Sequence, residues 1–188
     1  LIFNQFGSYI YEADSLVPNL TFFEWESNNN GIRDVDRSNT VLVNKGDNLT
    51  LSFITNKRIV SLSETGAFAS KKPVMKFLDN TNQEIITPTI SAQTSDNGTQ
   101  LNTEGTHWEA IFTIPHDSSF DNLSMDLGFK ITLNDYNTQQ SVIGFNHDLS
   151  VLNSNSVLPS EYNQARIDTT VPTISSAKLF SSNSGRES

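Results

Sequence analysis

The chain has 188 residues, 21 acidic against 12 basic side chains and a formal net charge of −9. This length suits one domain with a core large enough to be stable without disulfides, and the absence of cysteine excludes disulfides and thiolate metal sites. No apolar run approaches the ~18–20 residues that a membrane-spanning helix needs, and the acidic balance argues against a general nucleic-acid binder.

Alternation of apolar and polar residues predicts short β-strands along most of the chain. In the clearest run, Leu49, Leu51 and Phe53 alternate with polar residues. In chain order, strands are predicted at residues 20–26, 49–53, 73–78, 84–91, 108–114, 127–133, part of 140–152, and 174–180.

Turn-forming stretches rich in Asn, Asp and Gly separate these strands, and no amphipathic helix of three turns is indicated. A single helical turn is predicted within residues 118–127. Seven or more short strands with regular turns are typical of two antiparallel sheets packed face to face, so the predicted fold is an all-β sandwich.

A repeated motif indicates that the chain is a piece of a tandem array. Asp14-Ser-Leu-Val-Pro-Asn-Leu20 aligns with Asp168-Thr-Thr-Val-Pro-Thr-Ile174 at an offset of 154 residues. The alternative is coincidence in a background rich in Ser and Asn. On the repeat interpretation, residues 1–16 are a linker or tail strand of a preceding unit, residues 17–170 are a complete unit, and residues 171–188 begin a following unit or form a tail.

Three segments resemble the bacterial Ig-like tandem repeats of large surface adhesins. The first is similar to the linker between such repeats and reads Ile167-Asp-Thr-Thr-Val-Pro-Thr-Ile174. The second is similar to an early strand of such repeats and reads Val43-Asn-Lys-Gly-Asp-Asn-Leu-Thr-Leu-Ser-Phe53. The third, Phe129-Lys-Ile-Thr-Leu-Asn-Asp-Tyr-Asn137, lies where such repeats have a strand and then a turn bearing Asp and Asn.

This resemblance implies an Ig-like antiparallel sandwich that acts as a non-catalytic module outside the cell, at a bacterial cell surface. Its implied partners are neighbouring Ig-like units of the same chain and a glycan or protein of the host or environment. Such units usually have about 100 residues, whereas residues 17–170 are longer, and the additional length falls around residues 61–72, 87–106 and 150–162. These segments are predicted to be elaborated loops or an added hairpin, and binding functions are often found in elaborated loops.

The sequence predicts that the chain is not an enzyme. A catalytic nucleophile needs a base within reach and a group that orients the base, but His107, His116 and His147 are isolated in the sequence. No Gly-x-Ser-x-Gly, His-Glu-x-x-His or Walker-type motif is present. We therefore expect structural or surface histidines.

Calcium is the metal that this acidic composition favours, because it binds carboxylate, amide and carbonyl oxygens. Asn30, Asp34 and Asp36 lie in one short segment, and the two aspartates point the same way if the segment is extended. They are therefore candidate ligands of one ion. The alternative is a turn in which Arg33 and Arg37 form salt bridges with the aspartates.

Asp14 and Asp168 are the second pair of candidate metal ligands, because each precedes Val-Pro at a predicted unit boundary. An ion bound there would stiffen the joint between units. The alternative is an Asx-type turn before a fixed proline. Calcium is thus the cofactor that the sequence predicts.

The predicted function is structural and adhesive, in one module of an exported bacterial repeat protein. One alternative is a carbohydrate-binding or accessory module of a secreted enzyme, in which an exposed aromatic side chain near residues 22–25 stacks on a sugar ring. The other is a filament subunit in which residues 1–13 donate a strand to the sheet edge of a neighbour.

Overall fold

The computed structural model describes residues 2–3, 9–10, 16–28, 40–92, 106–146, 158–159, 164–171 and 173–178. Across these residues it has thirteen strands and two short 3₁₀ helices, Gly66–Lys71 and Ser118–Phe120. The strands are β1 (Ile2–Phe3), β2 (Tyr9–Ile10), β3 (Leu20–Ser27), β4 (Thr40–Val43), β5 (Asn48–Thr55), β6 (Val74–Leu78), β7 (Glu84–Ile86), β8 (Thr89–Ala92), β9 (His107–Thr113), β10 (Ser124–Asn134), β11 (Gln140–Phe145), β12 (Leu158–Pro159) and β13 (Gln164–Asp168).

Two sheets form the fold, and most of their strand pairs are antiparallel. One sheet has the order β4-β13-β10-β6-β7, with β11 also paired to β10, and the other has the order β12-β3-β5-β9-β8. Parallel pairing is found between β4 and β13 and between β3 and β12. The predicted all-β sandwich is confirmed, and the 3₁₀ helix Ser118–Phe120 provides the single helical turn predicted within residues 118–127.

The core lies between the inward faces of the two sheets. Along β5, every second residue is buried, as its alternating sequence predicts. Phe23 and Trp25 of β3 face inward, where the ring of Phe23 lies 5.1 Å from that of Phe129 and the ring of Trp25 lies 5.0 Å from that of Phe77. Burying each large apolar side chain stabilises the fold by about 1.5–3 kcal/mol, so these aromatic residues are a main source of stability.

Three strand predictions differ from the structure. Residues 84–91 form two strands, β7 and β8, which belong to different sheets and are separated by Thr87 and Pro88. The proline fixes its own φ and restricts the residue before it, so the chain turns from one sheet to the other there. Residues 173–178 are exposed and are not in a strand, so the prediction of a strand from residue 174 is wrong for that part. The short strands β4, β12 and β13 were not predicted.

The last strand of the sandwich is interrupted by an insertion. β11 pairs with the second half of β10, where Phe145 lies opposite Phe129, and β13 pairs with the first half, where Ala165 lies opposite Leu127. Residues 146–163 connect these two strands. Within this connection, β12 crosses to the other sheet and pairs with β3. The predicted loop around residues 150–162 therefore carries one of the strands that complete the second sheet.

Candidate functional site: joints at the two ends of the sandwich

The chain joins and leaves the sandwich at opposite ends of β10. Ser141 pairs with Leu133 near the end of β10, and its hydroxyl donates a hydrogen bond of 2.5 Å to the carbonyl oxygen of Pro18. Asp168, the last residue of β13, instead pairs with Ser124 at the start of β10. Because Ser124 and Leu133 are nine residues apart in β10 and a strand rises ~3.4 Å per residue, these two points lie roughly 30 Å apart.

The proximal joint is held by side chains from β11 and from the two residues that follow β5. We define it as residues 16–19 with the side chains of Asn56, Lys57 and Ser141. Asn56 donates its side-chain amide to the carbonyl of Val17 at 3.2 Å and its backbone N–H to the carbonyl of Asn19 at 2.9 Å. Its side-chain oxygen accepts the N–H of Asn19 at 2.8 Å. Asn56 thus forms three hydrogen bonds with the backbone of Val17 and Asn19, as the backbone of a neighbouring strand would.

Lys57 completes the proximal joint. Its ammonium group donates to the carbonyl of Leu16 at 2.9 Å and to the carboxylate of Asp135 at 2.6 Å. All four carbonyl groups of residues 16–19 therefore accept a hydrogen bond from the sandwich. A segment in which every carbonyl accepts a hydrogen bond has little freedom to rotate. The joint therefore fixes the direction of the chain as it enters the sandwich.

Asp135 lies beneath this joint as a buried carboxylate. Its side chain is 2% exposed, against 15% for Lys57. Its second oxygen accepts the backbone N–H groups of Asn137 (2.9 Å) and Gln139 (2.8 Å) within the turn between β10 and β11. A buried charge needs both a counterion and hydrogen bonds. Lys57 of the joint provides the counterion and the turn provides the N–H groups, so Asp135 connects the joint to this turn.

The elaborated loop that follows β5 packs over the same turn. The hydroxyl of Tyr136 donates to Glu64 at 2.7 Å and accepts the N–H of Ser61 at 3.1 Å. Its ring lies 5.3 Å from that of Phe68, and the guanidinium of Arg58 lies 5.0 Å from its centre. The additional length around residues 61–72 thus covers the turn that supports the proximal joint.

The distal joint, which we define as residues 168–171, is fixed by one buried threonine. Thr169 donates its N–H to the carbonyl of Leu123 at 2.8 Å, accepts the N–H of Leu123 at 2.9 Å and donates its hydroxyl to the carbonyl of Phe120 at 2.5 Å. The carboxylate of Asp168 accepts both the N–H (3.1 Å) and the hydroxyl (2.5 Å) of Thr170. This geometry is the Asx-type turn that the sequence offered as the alternative to a metal ligand.

An ion pair holds the loop against which the distal joint packs. Lys45 forms a salt bridge with Asp121 and donates to the carbonyl of Asp117 at 3.0 Å. The carboxylate of Asp117 accepts the hydroxyl and the N–H of Ser119, and these bonds, the hydroxyl first, together with the charge of Lys45 lower the pKa of that carboxyl group. The loop from β9 to β10 is thereby tied to the turn between β4 and β5.

The predicted metal ligands divide into one residue that the structure describes and four that it does not. Asn30, Asp34, Asp36 and Asp14 lie outside the described residues. The carboxylate of Asp168 is used in the turn of the distal joint. Among the residues that are described, no group of three or more His, Asp or Glu side chains is close enough to hold a metal ion. Calcium binding at Asp34 and Asp36 stays a prediction.

The aromatic residues proposed for sugar stacking lie mainly in the core. Phe23 and Trp25 are buried and Phe22 is half-buried. Where the structure describes the chain, the large hydrophobic side chains that are exposed are aliphatic: Leu16, Val17, Val74, Ile85, Val171 and Ile174. No exposed aromatic platform is seen in those parts of the chain.

The segment proposed for strand donation contains a small hairpin. Within residues 1–13, β1 pairs with β2 in an antiparallel two-stranded sheet, with Ile2 opposite Ile10 and Phe3 opposite Tyr9. These four backbone positions thus pair with one another. Donation to a neighbour by the same backbone groups would require this hairpin to open.

The side chains that hold the two joints are not marked by any pattern in the sequence near them. Asn56, Lys57 and Ser141 belong to no local motif, and the bonds to Asn19 and Pro18 span 37 and 123 positions. Thr169 lies in the segment that resembles a linker, but its bond to Leu123 spans 46 positions. The available signal was the repeated Val-Pro, because it marks the backbone that the proximal joint holds.

Comparisons of the chain with protein-family models, with curated proteins and with solved structures each found no match. No helix in the parts of the chain described above is long and apolar enough to cross a membrane. The geometry of the two joints is therefore the main basis for a functional assignment.

Proposed function

We propose that the chain is a non-catalytic module of an extracellular bacterial repeat protein, in which it spaces or attaches other parts of that protein at the cell surface. The observation that carries this proposal is the position of the two joints at opposite ends of one sandwich. Val-Pro is found at both joints, so successive units of this kind would extend end to end.

The strand connections suit a module that transmits tension. β3 begins at the proximal joint and pairs with β5 along its length, from Leu20 to Ser27. β13 ends at the distal joint and pairs with β10 on one side and with β4 on the other. Tension between the joints runs along these strands, so it strains many ladder hydrogen bonds together instead of opening them singly from one end.

The resemblance to Ig-like repeats supports the same proposal. Residues 43–53 cover the turn between β4 and β5 and most of β5, and residues 129–137 cover the second half of β10 and the turn after it. The first of these segments is thus a turn followed by a strand, and the second is a strand followed by a turn. The extracellular location, and neighbouring units as partners, follow from that resemblance.

Single-molecule force spectroscopy tests the mechanical role. Because the chain has no cysteine, Leu16→Cys and Val171→Cys introduce unique attachment points at the two joints. We expect one abrupt unfolding event that releases roughly 50 nm of chain, since about 155 residues extend by ~3.3–3.6 Å each. Gradual extension without a force peak would contradict the proposal.

A matched pulling direction is the control. Leu16→Cys with Asn137→Cys places both attachments at the same end of the sandwich, because Asn137 lies in the turn after β10. This direction peels strands from one end and should need a clearly lower force. Equal forces in the two directions would refute the mechanical role.

An antibody against the chain tests the extracellular location. It should label intact bacteria, and labelling only after permeabilisation would refute that location.

A further inference from the structure

The chain beyond the distal joint exposes a side chain whose counterpart is buried. Ile174 is 87% exposed, whereas Leu20, at the aligned position 154 residues earlier, is 1% exposed. Leu20 is buried because it begins β3, which pairs with β5 and faces the core. Residues 173–178 have no such sheet against them and are all exposed.

The inward-facing positions of β3 have an irregular spacing. Leu20, Phe23 and Trp25 are buried, so their spacing is three residues and then two. A regular strand would bury every second residue. The difference arises because the pairing of β3 with β5 has a register shift between Leu20 and Phe22. The spacing is therefore more specific to this strand than simple alternation would be.

The same irregular spacing is found after the second Val-Pro. The offset of 154 residues places Ile174, Ala177 and Leu179 at the three inward-facing positions of β3. All three are apolar, and the residues between them are polar: Ser175, Ser176 and Lys178. The segment thus repeats the spacing of apolar residues that the register shift produces in β3.

We infer that the segment beginning at Ile174 is the first strand of a second unit of this same fold, and that its partner is the strand of that unit equivalent to β5. The inference rests on the proposed function in that it takes one unit to be followed by another. It identifies the partner of the exposed segment as a sheet of this fold, not an edge of the present unit or an unrelated protein.

The alignment also describes the connection between the two units. Thr169 is fixed to the present unit through Leu123 and Phe120. The next residue, Thr170, takes the place of Leu16, whose carbonyl is held by Lys57. The distal joint of one unit is then followed at once by the proximal joint of the next, with no flexible residue between them. The connection between the two units is therefore stiff.

A two-unit chain tests this inference. In this designed chain, residues 1–181 of one copy are joined directly to residues 28–188 of a second copy. The second unit therefore lacks its own β3 and has residues 174–181 in the place of β3. Hydrogen exchange is then measured on the β5 peptide, which is identical in both units. We expect one protected population, because both units fold. Two equal populations, one of them unprotected, would show that only the first unit is folded.

Variants keep the test decisive if the natural segment packs poorly against this sheet. Ala177→Phe with Leu179→Trp restores the two large core residues of β3, and adding Ile174→Asp places a charge at the buried position. The inference predicts one protected population in the restored chain and two after Ile174→Asp. Residues 1–173 joined to residues 20–188, in which the second unit keeps its own β3, are the positive control.

Two outcomes would overturn the inference. One is a restored chain that keeps two populations while the positive control has one. The other is no effect of Ile174→Asp on the second unit. Neither outcome changes the force measured on a single unit, so failure of this inference is distinguishable from failure of the proposed mechanical role.

Discussion

Lys57→Met is expected to destabilise the unit strongly, because it leaves the buried carboxylate of Asp135 without its counterion. The two groups are 2.6 Å apart, and the Asp135 side chain is 2% exposed. Removing one partner of a fully buried ion pair costs about 3–5 kcal/mol. Water reaches the lysine, which is 15% exposed, and two backbone N–H groups still bind the carboxylate, so we expect about 2–3 kcal/mol. The lost bond to Leu16 adds little, because Leu16 is exposed.

Thermal and urea unfolding measure this effect. For a unit of this size, about 2–3 kcal/mol corresponds to a fall in Tm of about 5–10 °C. Lys130→Met is the matched control, because Lys130 lies 3.5 Å from Glu84 and both side chains are about half exposed. That exposed pair should contribute less than about 0.5 kcal/mol.

A second variant separates the charge from the hydrogen bonds. With Asn in place of Asp135, the side-chain oxygen can still accept the two backbone N–H groups but carries no charge. The double variant Lys57→Met with Asp135→Asn should therefore be about 1 kcal/mol more stable than Lys57→Met alone. Equal Tm values for Lys57→Met and Lys130→Met would show that the buried ion pair contributes no more than the exposed one. A double variant no more stable than Lys57→Met would show that the uncompensated charge of Asp135 is not the cause of the loss.

Three further predictions concern packing, metal and pH. Gly128→Ala should destabilise the unit by about 3 kcal/mol in urea unfolding, because a Cβ there would overlap the backbone of the last residue of β11; an unchanged midpoint would contradict this packing. Calcium at 1 mM, compared with EDTA, should raise Tm by about 5–10 °C if the site has a Kd of ~10 μM, and Asp34→Asn with Asp36→Asn should abolish the shift; equal Tm values in calcium and EDTA would remove the metal prediction. The pKa values of Asp79 and Asp117 are lowered below 3.8, chiefly by hydroxyl hydrogen bonds, so the stability that they contribute is present above that pH and is lost as the pH falls below it. Their Asn variants should show a weaker fall in Tm between about pH 5 and pH 2, and a pH profile identical to that of the unmodified chain would contradict this.

Local patterns of residues were sufficient to predict the class of the fold and much of the core. Alternation along β5, β9 and β10 predicted both the strands and the face that each buries, because side chains on a strand point to opposite faces in turn. Phe23 and Trp25, two residues apart in β3, lie on one face for the same reason, and that face is the core. These are local properties, which a few neighbouring residues suffice to define.

Two features depend on how the whole chain folds: which sheet each strand joins, and which side chains hold the two joints. Residues 84–91 were predicted as one strand, yet they divide between the two sheets, and Ile167 was read as part of a linker although it is buried in β13. Asn56 and Ser141 reach the proximal joint from 37 and 123 positions away. Strand periodicity carries no information on such pairings, because they arise only when the two sheets pack and bring distant segments to the same end of the sandwich.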